Sequence, residues 1–376
     1  MVDIKLKLVT LSTNSNITIM AELLSVFSRR LKQARILKKL SMDQLASMIG
    51  NSVSKQAISK YEAGKMMPNS TIVTALAIAL DVEPDYFYRP FSFDLNEFKV
   101  SFRKKSDTSV KDVNALKVRI QDAVERYLEV EEILGKDKET VLQMDGEPLS
   151  TPAQMQEQAN RLRDEWHLGY DAIGNVQDVL EEHGIKVICT EAPSGFDGVS
   201  GIVNGKDYIV ILNKKQDHVE RRRFTTMHEL GHLLFNERFS PSLSLREKEK
   251  LCDAFANEML LPSIVVRTVF SPGEKISTYE VRQLQVVYGI SFDAIMHKLF
   301  DLGIINDSKY KTYCIRKNHD EAWKQFVEDS LYQEGFSTKF EMMVYAAAAK
   351  DLISTSKAAS LLHSSISTVR KHLNVI

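Results

Sequence analysis

The chain has 376 residues, of which 44% are hydrophobic and 26% charged, and its formal net charge at pH 7 is −1. This length suits two or three domains that each bury a core, and this composition excludes disordered and fibrous proteins. A membrane-spanning helix needs about 18 consecutive apolar residues, and no such run occurs. We therefore expect a multidomain globular protein with no membrane partner.

Residues 1–20 lack the apolar core and the small-residue cleavage site of a signal peptide. We predict that they form a flexible tail and that the protein is cytoplasmic. The three cysteines, Cys189, Cys252 and Cys314, are far apart in the sequence. An odd number at such spacing predicts buried thiols rather than disulfides or a Cys-x-x-Cys metal site.

Residues 21–90 are predicted to form an all-helical domain. The segment SMDQLASMIG begins at a Ser41 cap and ends at Gly50, and SKQAISKYEAGK begins at Ser54 and ends near Gly64. Two short helices joined by a glycine turn are typical of the helix-turn-helix motif. The same region carries ten Lys and Arg against six Asp and Glu, a balance that permits a nucleic-acid partner.

The second of these helices has the composition of a DNA recognition helix. Ile58 and Tyr61 are predicted to face the core, which leaves polar and basic side chains on the exposed face near the N-terminus. Such side chains hydrogen-bond base edges and phosphates in the major groove. The candidate DNA-binding residues are Ser54, Lys55, Gln56, Ser59 and Lys60.

Residues 25–85 resemble the XRE (Cro/lambda-repressor type) DNA-binding family, most clearly in the segments SKYEAGK and IALDV. Two departures could weaken or retarget binding. The turn GNSVS is about two residues longer than usual, and Met42 stands where the family commonly has a polar phosphate contact. The resemblance implies a double-stranded DNA operator and, because one such domain binds modestly, a homodimer.

Residues 91–150 are predicted to be a helical linker or dimerisation region, because residues 113–135 form an amphipathic helical pattern. Pro152 then suits the first turn of a new helix, so a further domain is expected over residues 151–305. This domain includes a small sheet. Residues 198–203 and 207–213 are rich in β-forming residues and are joined through Asn-Gly, which is a strong hairpin signal.

The segment RRRFTTMHELGHLLF places three titratable groups in an otherwise apolar helical pattern. His228 and His232 are four residues apart, so both imidazoles project from one face and can share one ion. Glu229 lies beside them, where it can reach a water on that ion. This H-E-x-x-H arrangement is typical of zinc hydrolases and predicts Zn²⁺, with Glu229 as the catalytic base.

A catalytic zinc needs a third protein ligand, and the segment EKLCDAFANEMLLP supplies candidates. We assign Glu249 as that ligand. Asp253, one helical turn later, is then the acceptor for the N–H group of a zinc-bound histidine. Glu247 and Glu258 are rival ligands, but Glu247 lies at the predicted helix start and Glu258 lies more than two turns away.

Residues 155–300 closely resemble the ImmA/IrrE metallopeptidases. The resemblance is carried by the Gly-rich hairpin, the Asn-ended strand, the Arg/Phe-Thr lead into H-E-x-x-H and the Leu-Leu end of the second helix. It implies a zincin-like α+β zinc endopeptidase that cuts a regulatory, repressor-like protein, with His228, His232 and Glu249 on the metal and Glu229 in catalysis. The second helix ends Leu-Leu-Pro, one residue short of the family pattern, and Asp253 stands where the family often has Asn.

The predicted reaction is hydrolysis of a peptide bond. We expect residues 207–213 to be an exposed edge strand to which an extended peptide adds. The group that stabilises the oxyanion stays open among Arg221 to Arg223 and several tyrosines. A non-proteolytic zinc hydrolase such as an amidase also fits the spacing.

Residues 306–376 are predicted to form a helical domain with a helix-turn-helix-like end. In ISTSKAASLLHSSISTVRKHL a helix, a short turn and a capped helix follow one another. Ser367, Arg370 and Lys371 are expected on the surface, with Ile366, Val369 and Leu373 inward. The segment resembles the helical C-terminal part often attached to these peptidases. We favour a packing or oligomerisation module over a second DNA-contacting element.

The expected fold is mainly α with a small β-sheet. The function that follows is a DNA-binding transcriptional regulator whose zinc endopeptidase domain cleaves a repressor-like protein. The alternative is a non-proteolytic repressor or antitoxin-like protein whose zinc domain senses a ligand or partner. A glutamate at the catalytic position, Glu229, favours hydrolysis.

Overall fold

Helices dominate the computed structural model, which describes residues 2–50, 52–93, 109–136 and 146–373, with side chains from Met20 onward. The strands in these ranges form one three-stranded sheet. The predicted fold class, mainly α with a small β-sheet, is confirmed. No helix within the described ranges is both long and apolar enough to traverse a bilayer.

The elements follow one another in chain order. The helices are α1 (Val2–Leu37), α2 (Met42–Met48), α3 (Lys55–Glu62), α4 (Ser70–Leu80), α5 (Val110–Ile133), α6 (Pro152–Glu165), α7 (Val176–Glu182), α8 (Val219–Phe235), α9 (Leu245–Leu260), α10 (Ser263–Val269), α11 (Thr278–Tyr288), α12 (Phe292–Asp301), α13 (Asp307–His319), α14 (Glu321–Glu328), α15 (Lys339–Ala349), α16 (Thr355–Leu362) and α17 (Ile366–His372). A 3-10 helix spans Pro84–Tyr88, and the strands are β1 (Lys186–Thr190), β2 (Gly198–Val203) and β3 (Asp207–Asn213).

The described residues divide into two compact units. Unit 1 comprises residues 2–93, 109–136 and 343–373, and unit 2 comprises residues 146–342. The predicted domain boundaries at residues 90, 150 and 305 stay predictions. The division into two units follows different limits, because residues 343–373 belong to the same unit as the N-terminal helices. The basic run at 99–105 and most of the linker before residue 146 lie outside the described residues.

In unit 1 the capping residues define the helix-turn-helix. Ser41 caps α2 in a reciprocal capping box with Gln44, and the Ser54 hydroxyl accepts a hydrogen bond from the Ala57 N–H at the start of α3. These side chains satisfy N–H groups that have no partner within the helix. Ile58 and Tyr61 are buried, as the periodicity predicts.

Helix α1 begins at Val2 and so includes residues 2–20, for which a flexible tail is predicted. The side chains of residues 2–19 lie outside the described part, and the tail stays a prediction.

Further along, α1 packs on α5 through buried charges. The Arg30 guanidinium is fully buried and lies 2.7 Å from Glu125 of α5. Since a buried charge is costly without a partner, this pair ties α5 to the helix-turn-helix.

The sheet of unit 2 has the order β1-β3-β2, with β3 parallel to β1 and antiparallel to β2. The hairpin at Asn204 and Gly205 is present, and both residues have positive φ angles of 53° and 70°, as a type I′ turn requires. The prediction that residues 207–213 form an exposed edge was wrong. β3 is central, because its nearly continuous apolar run is buried between two partners, and β2 is an edge strand.

Glu258, a rival ligand in the sequence analysis, forms a buried ion pair instead. Its Oε2 lies 2.7 Å from the Lys298 ammonium and also accepts a hydrogen bond from the Ser263 hydroxyl. Burial disfavours the ionised carboxyl, but Lys298 and Ser263 outweigh it and hold the pKa of Glu258 below its usual value. The ion pair between Glu258 and Lys298 lies at the C-terminal end of α9.

We predict that Lys298→Met destabilises the protein strongly, because it leaves the Glu258 carboxylate buried without its cation. Loss of one partner of a buried ion pair costs about 3 to 5 kcal/mol. Glu258→Gln/Lys298→Met removes both charges and should recover most of that loss. Equilibrium urea denaturation of the wild type and the two variants measures both effects. A double variant as unstable as Lys298→Met would contradict this explanation.

Candidate metal centre and DNA-contacting helix

Helices α8 and α9 bring together the three residues that the sequence proposes as metal ligands. His228 Nε2 lies 3.1 Å from His232 Nε2 and 3.1 Å from Glu249 Oε2, and the third separation, from His232 Nε2 to Glu249 Oε2, is 3.4 Å. Close helix packing makes this possible. A Cβ added at Gly231 of α8 would lie 3.1 Å from the Phe255 ring of α9, so a larger residue would require this ring to shift.

Asp253 defines the chemistry of this cluster. Its Oδ1 lies 2.7 Å from His228 Nδ1. Because a carboxylate is only an acceptor, Nδ1 carries the proton and donates, which leaves a lone pair on Nε2 directed at the cluster. Two imidazole nitrogens and a carboxylate oxygen then face one another across a few ångströms.

This donor set fits a metal ion. The ligand atoms of a tetrahedral zinc site with bonds of about 2.0 to 2.1 Å are about 3.3 Å apart, and the three separations in the cluster are 3.1, 3.1 and 3.4 Å. Acceptor atoms at such distances repel one another unless a proton or a cation lies between them. Among the described residues, His228, His232 and Glu249 are the group of histidines, cysteines and acids with metal-ligating geometry.

The remaining acids near α9 have other roles. Glu247 forms a capping box with Ser244, accepting hydrogen bonds from its backbone N–H and its hydroxyl. Glu258 is paired with Lys298. The rivals of Glu249 are thus occupied elsewhere.

Cys189 is half-buried, and burial raises the pKa of its thiol to about 12, which keeps it protonated and a poor ligand.

Glu229 is positioned by strand β2, through a contact that the sequence analysis missed. The Ser200 hydroxyl donates a hydrogen bond of 2.9 Å to Glu229 Oε2. Gly198 makes this approach possible, since an added Cβ would lie 2.7 Å from the Thr225 methyl and 3.3 Å from Glu229 Cγ. The alternation of strand side chains, which places residues 198 and 200 on one face, is the signal that could have indicated Ser200.

The three arginines before H-E-x-x-H lie in contacts that do not single out an oxyanion-stabilising group. Arg221 pairs with Asp197 at 2.7 Å, and Arg222 donates to the Glu334 carbonyl oxygen. Arg223 is fully buried and pairs with the Glu334 carboxylate. Arg223 therefore anchors residues 329–338, an irregular segment that we call the strap, on the first turns of α8.

The predicted DNA-contacting side chains lie together on one face of unit 1. Ser54, Lys55, Gln56, Ser59 and Lys60 are all exposed. Lys55 also pairs with Asp43 of α2 at 2.7 Å, and both partners are exposed enough that the pair contributes little stability. Met42, where the family has a polar residue, packs partly buried against the core of this domain.

These two sites define a helix-turn-helix domain joined to a metallopeptidase-type domain. Residues 31–87 match the family model described as helix-turn-helix, and residues 180–300 match that of the IrrE N-terminal-like domain of peptidase family M78. The predicted combination of an XRE-type helix-turn-helix with an ImmA/IrrE-like domain is therefore confirmed. No curated protein matches the chain.

We predict that Asp253→Ala lowers zinc affinity by about 10- to 100-fold, because the Nδ1–H of His228 loses the acceptor that orients the ring. Asp253→Asn keeps an acceptor oxygen and should remain closer to the wild type. Competition against a chelating dye measures the affinities. If all three proteins bound zinc equally, Asp253 would have no part in the site.

Proposed function

We propose that the protein is a cytoplasmic DNA-binding transcriptional regulator whose second unit is a zinc-dependent endopeptidase that cleaves a regulatory, repressor-like protein. The observation that carries the enzymatic half is the convergence of His228, His232 and Glu249, and Glu229 follows His228 in the same helix. The family match over residues 180–300 supports a metallopeptidase-type domain. The match over residues 31–87 supports DNA binding.

His228, His232 and Glu249 would hold the zinc ion, which supplies Lewis-acid polarisation of the scissile carbonyl and of water when bound. Glu229 then acts as the general base. Its carboxylate accepts the proton of the attacking water and returns it to the nitrogen of the leaving amine. The Ser200 hydroxyl donates a hydrogen bond to Glu229 Oε2, and this contact orients the carboxylate.

Strand β2 is the element that would position a peptide substrate. It is an edge of the sheet, and it carries Ser200, which contacts the general base. An extended peptide that adds to this edge gains main-chain hydrogen bonds independent of its sequence. Substrate backbone on β2 would pass close to Glu229, so the binding edge and the reacting groups lie together.

Helix α3 would bind the major groove of an operator. Gln56 can read an adenine through paired hydrogen bonds, whereas Lys60 suits a phosphate. Since one helix-turn-helix buries a small surface, we propose a homodimer that contacts two half-sites.

We expect Glu229→Gln to retain zinc and to lose cleavage, because the amide cannot accept the proton. General-base catalysis contributes about 10²- to 10⁴-fold in rate. The measurements are metal analysis of the purified protein and proteolysis of co-expressed repressor-like candidates, with Glu237→Gln as the matched control at an exposed position.

Zinc in both proteins, with cleavage by the wild type and the control alone, supports the enzyme. Zinc without cleavage of any candidate favours the sensor or antitoxin-like alternative. Equal cleavage by Glu229→Gln contradicts the role of this residue.

For the DNA-binding half, we expect Lys60→Ala to weaken binding uniformly across sequences and to reduce the salt dependence of log K by about one phosphate contact. Gln56→Ala should instead relax preference at one base pair, at a cost of about 1 to 3 kcal/mol. Fluorescence anisotropy on a duplex selected from a random pool measures both. The control is Lys32→Ala, an exposed lysine of α1, and equal effects of all three variants would argue against α3.

A further inference from the structure

The last helices of unit 1, α16 and α17, follow one another in the order of a helix-turn-helix motif. Three residues, His363 to Ser365, separate α16 from α17, a length typical of this motif. His363 adopts a left-handed conformation with φ of 48°, the role that glycine often has in such turns. Ser354 and Ser365 cap the two helices. Buried side chains close the core of this motif: Val344, Ala347, Ala358, Ala359, Leu361 and Val369.

The two helices have different surroundings. Helix α16 is fastened to α5, because Lys357 pairs with Glu129 at 2.5 Å and Arg126 donates to the Leu361 carbonyl oxygen. His363, at the end of α16, lies 3.3 Å from Asp122. The first helix of the motif is therefore anchored, while the second is presented outward.

The outward face of α17 has the chemistry of a nucleic-acid reader. Ser367, Thr368, Arg370 and Lys371 are exposed, and from Leu352 to the end the sequence contains no acidic residue. The prediction that Ile366 faces inward was wrong, since it is 43% exposed. On a seven-residue helix only Val369 is needed to close the core.

We propose that α17 is a second DNA recognition helix, a function beyond the binding by α3 proposed above. Arg370 and Lys371 would contact phosphates, while Ser367 would contact a base edge and Ile366 a thymine methyl group. The charge of this face is complementary to the DNA backbone. The sequence favours a packing module. Such a module would bury these side chains inside unit 1, whereas they are exposed among the described residues of unit 1.

The two helix-turn-helix motifs share one support. Asp122 of α5 accepts hydrogen bonds from Arg89, which follows the N-terminal motif, and from Arg126, while it also lies beside His363. The positive groups around it hold the pKa of the buried Asp122 carboxyl below its usual range, against the effect of burial. One carboxylate thus links both motifs to α5 within unit 1.

The test uses the full chain and a mixed-sequence duplex of about 40 base pairs, which is long enough for several helical turns. Arg370→Ala/Lys371→Ala should reduce the slope of log K against log salt by about 1.8, the value for two phosphate contacts. The matched control, Lys111→Ala/Lys136→Ala, removes two exposed lysines, one in the first turn of α5 and one shortly after its end, and should leave the slope unchanged. A photoreactive benzoylphenylalanine at position 367 should cross-link to the duplex.

An unchanged slope in Arg370→Ala/Lys371→Ala, or a position-367 cross-link to a second copy of the chain with a change in solution mass, would overturn the proposal and assign the face to oligomerisation. Lys60→Ala separates the two DNA sites. If Lys60→Ala alters the slope and the α17 variant does not, α3 binds DNA and this proposal fails. If only the α17 variant alters the slope, α17 is the DNA site and the proposal for α3 fails.

Discussion

The centre of unit 2 depends on the close packing of α9 on α8. Two imidazole nitrogens and a carboxylate oxygen face one another at 3.1 to 3.4 Å, a cluster whose dimensions suit a shared cation. Two features position these groups. Gly231 lets α9 approach α8, and Asp253 fixes the tautomer of His228.

Much of this centre can be predicted from the sequence, because the residue spacings that define it are local. The four-residue spacing of the histidines, and the helical turn between Glu249 and Asp253, place each pair on one helix face regardless of the rest of the fold. The packing of α8 against α9 depends on residues farther apart in the sequence, and the family resemblance is what predicts it. The sequence could not show that Glu258 would meet Lys298, because that contact joins elements 40 residues apart.

The wrong predictions, on the position of β3 and the exposure of Ile366, also concern contacts that local sequence patterns do not determine. Alternation and apolar content identify strands, but they do not give the strand order, so β3 was assigned to an edge. The spacing of Ile366 and Val369 places both on one side of α17, but whether the first-turn residue Ile366 is covered depends on neighbouring elements that the spacing does not show. The packing of the C-terminal helices on α5 depends on contacts across long stretches of sequence, such as the hydrogen bond from the Arg126 guanidinium to the Leu361 carbonyl oxygen.

The strap has a consequence for where the metallopeptidase-type domain ends as a folding unit. Glu220 in the first turn of α8 accepts hydrogen bonds from the Leu331 and Tyr332 N–H groups, and Arg223 pairs with Glu334. A fragment truncated at residue 300, where the family match ends, would leave a carboxylate and a guanidinium without these counterparts at the base of the helix that carries both histidines. We therefore expect the folding unit to extend to about residue 338, past the end of the family match at residue 300.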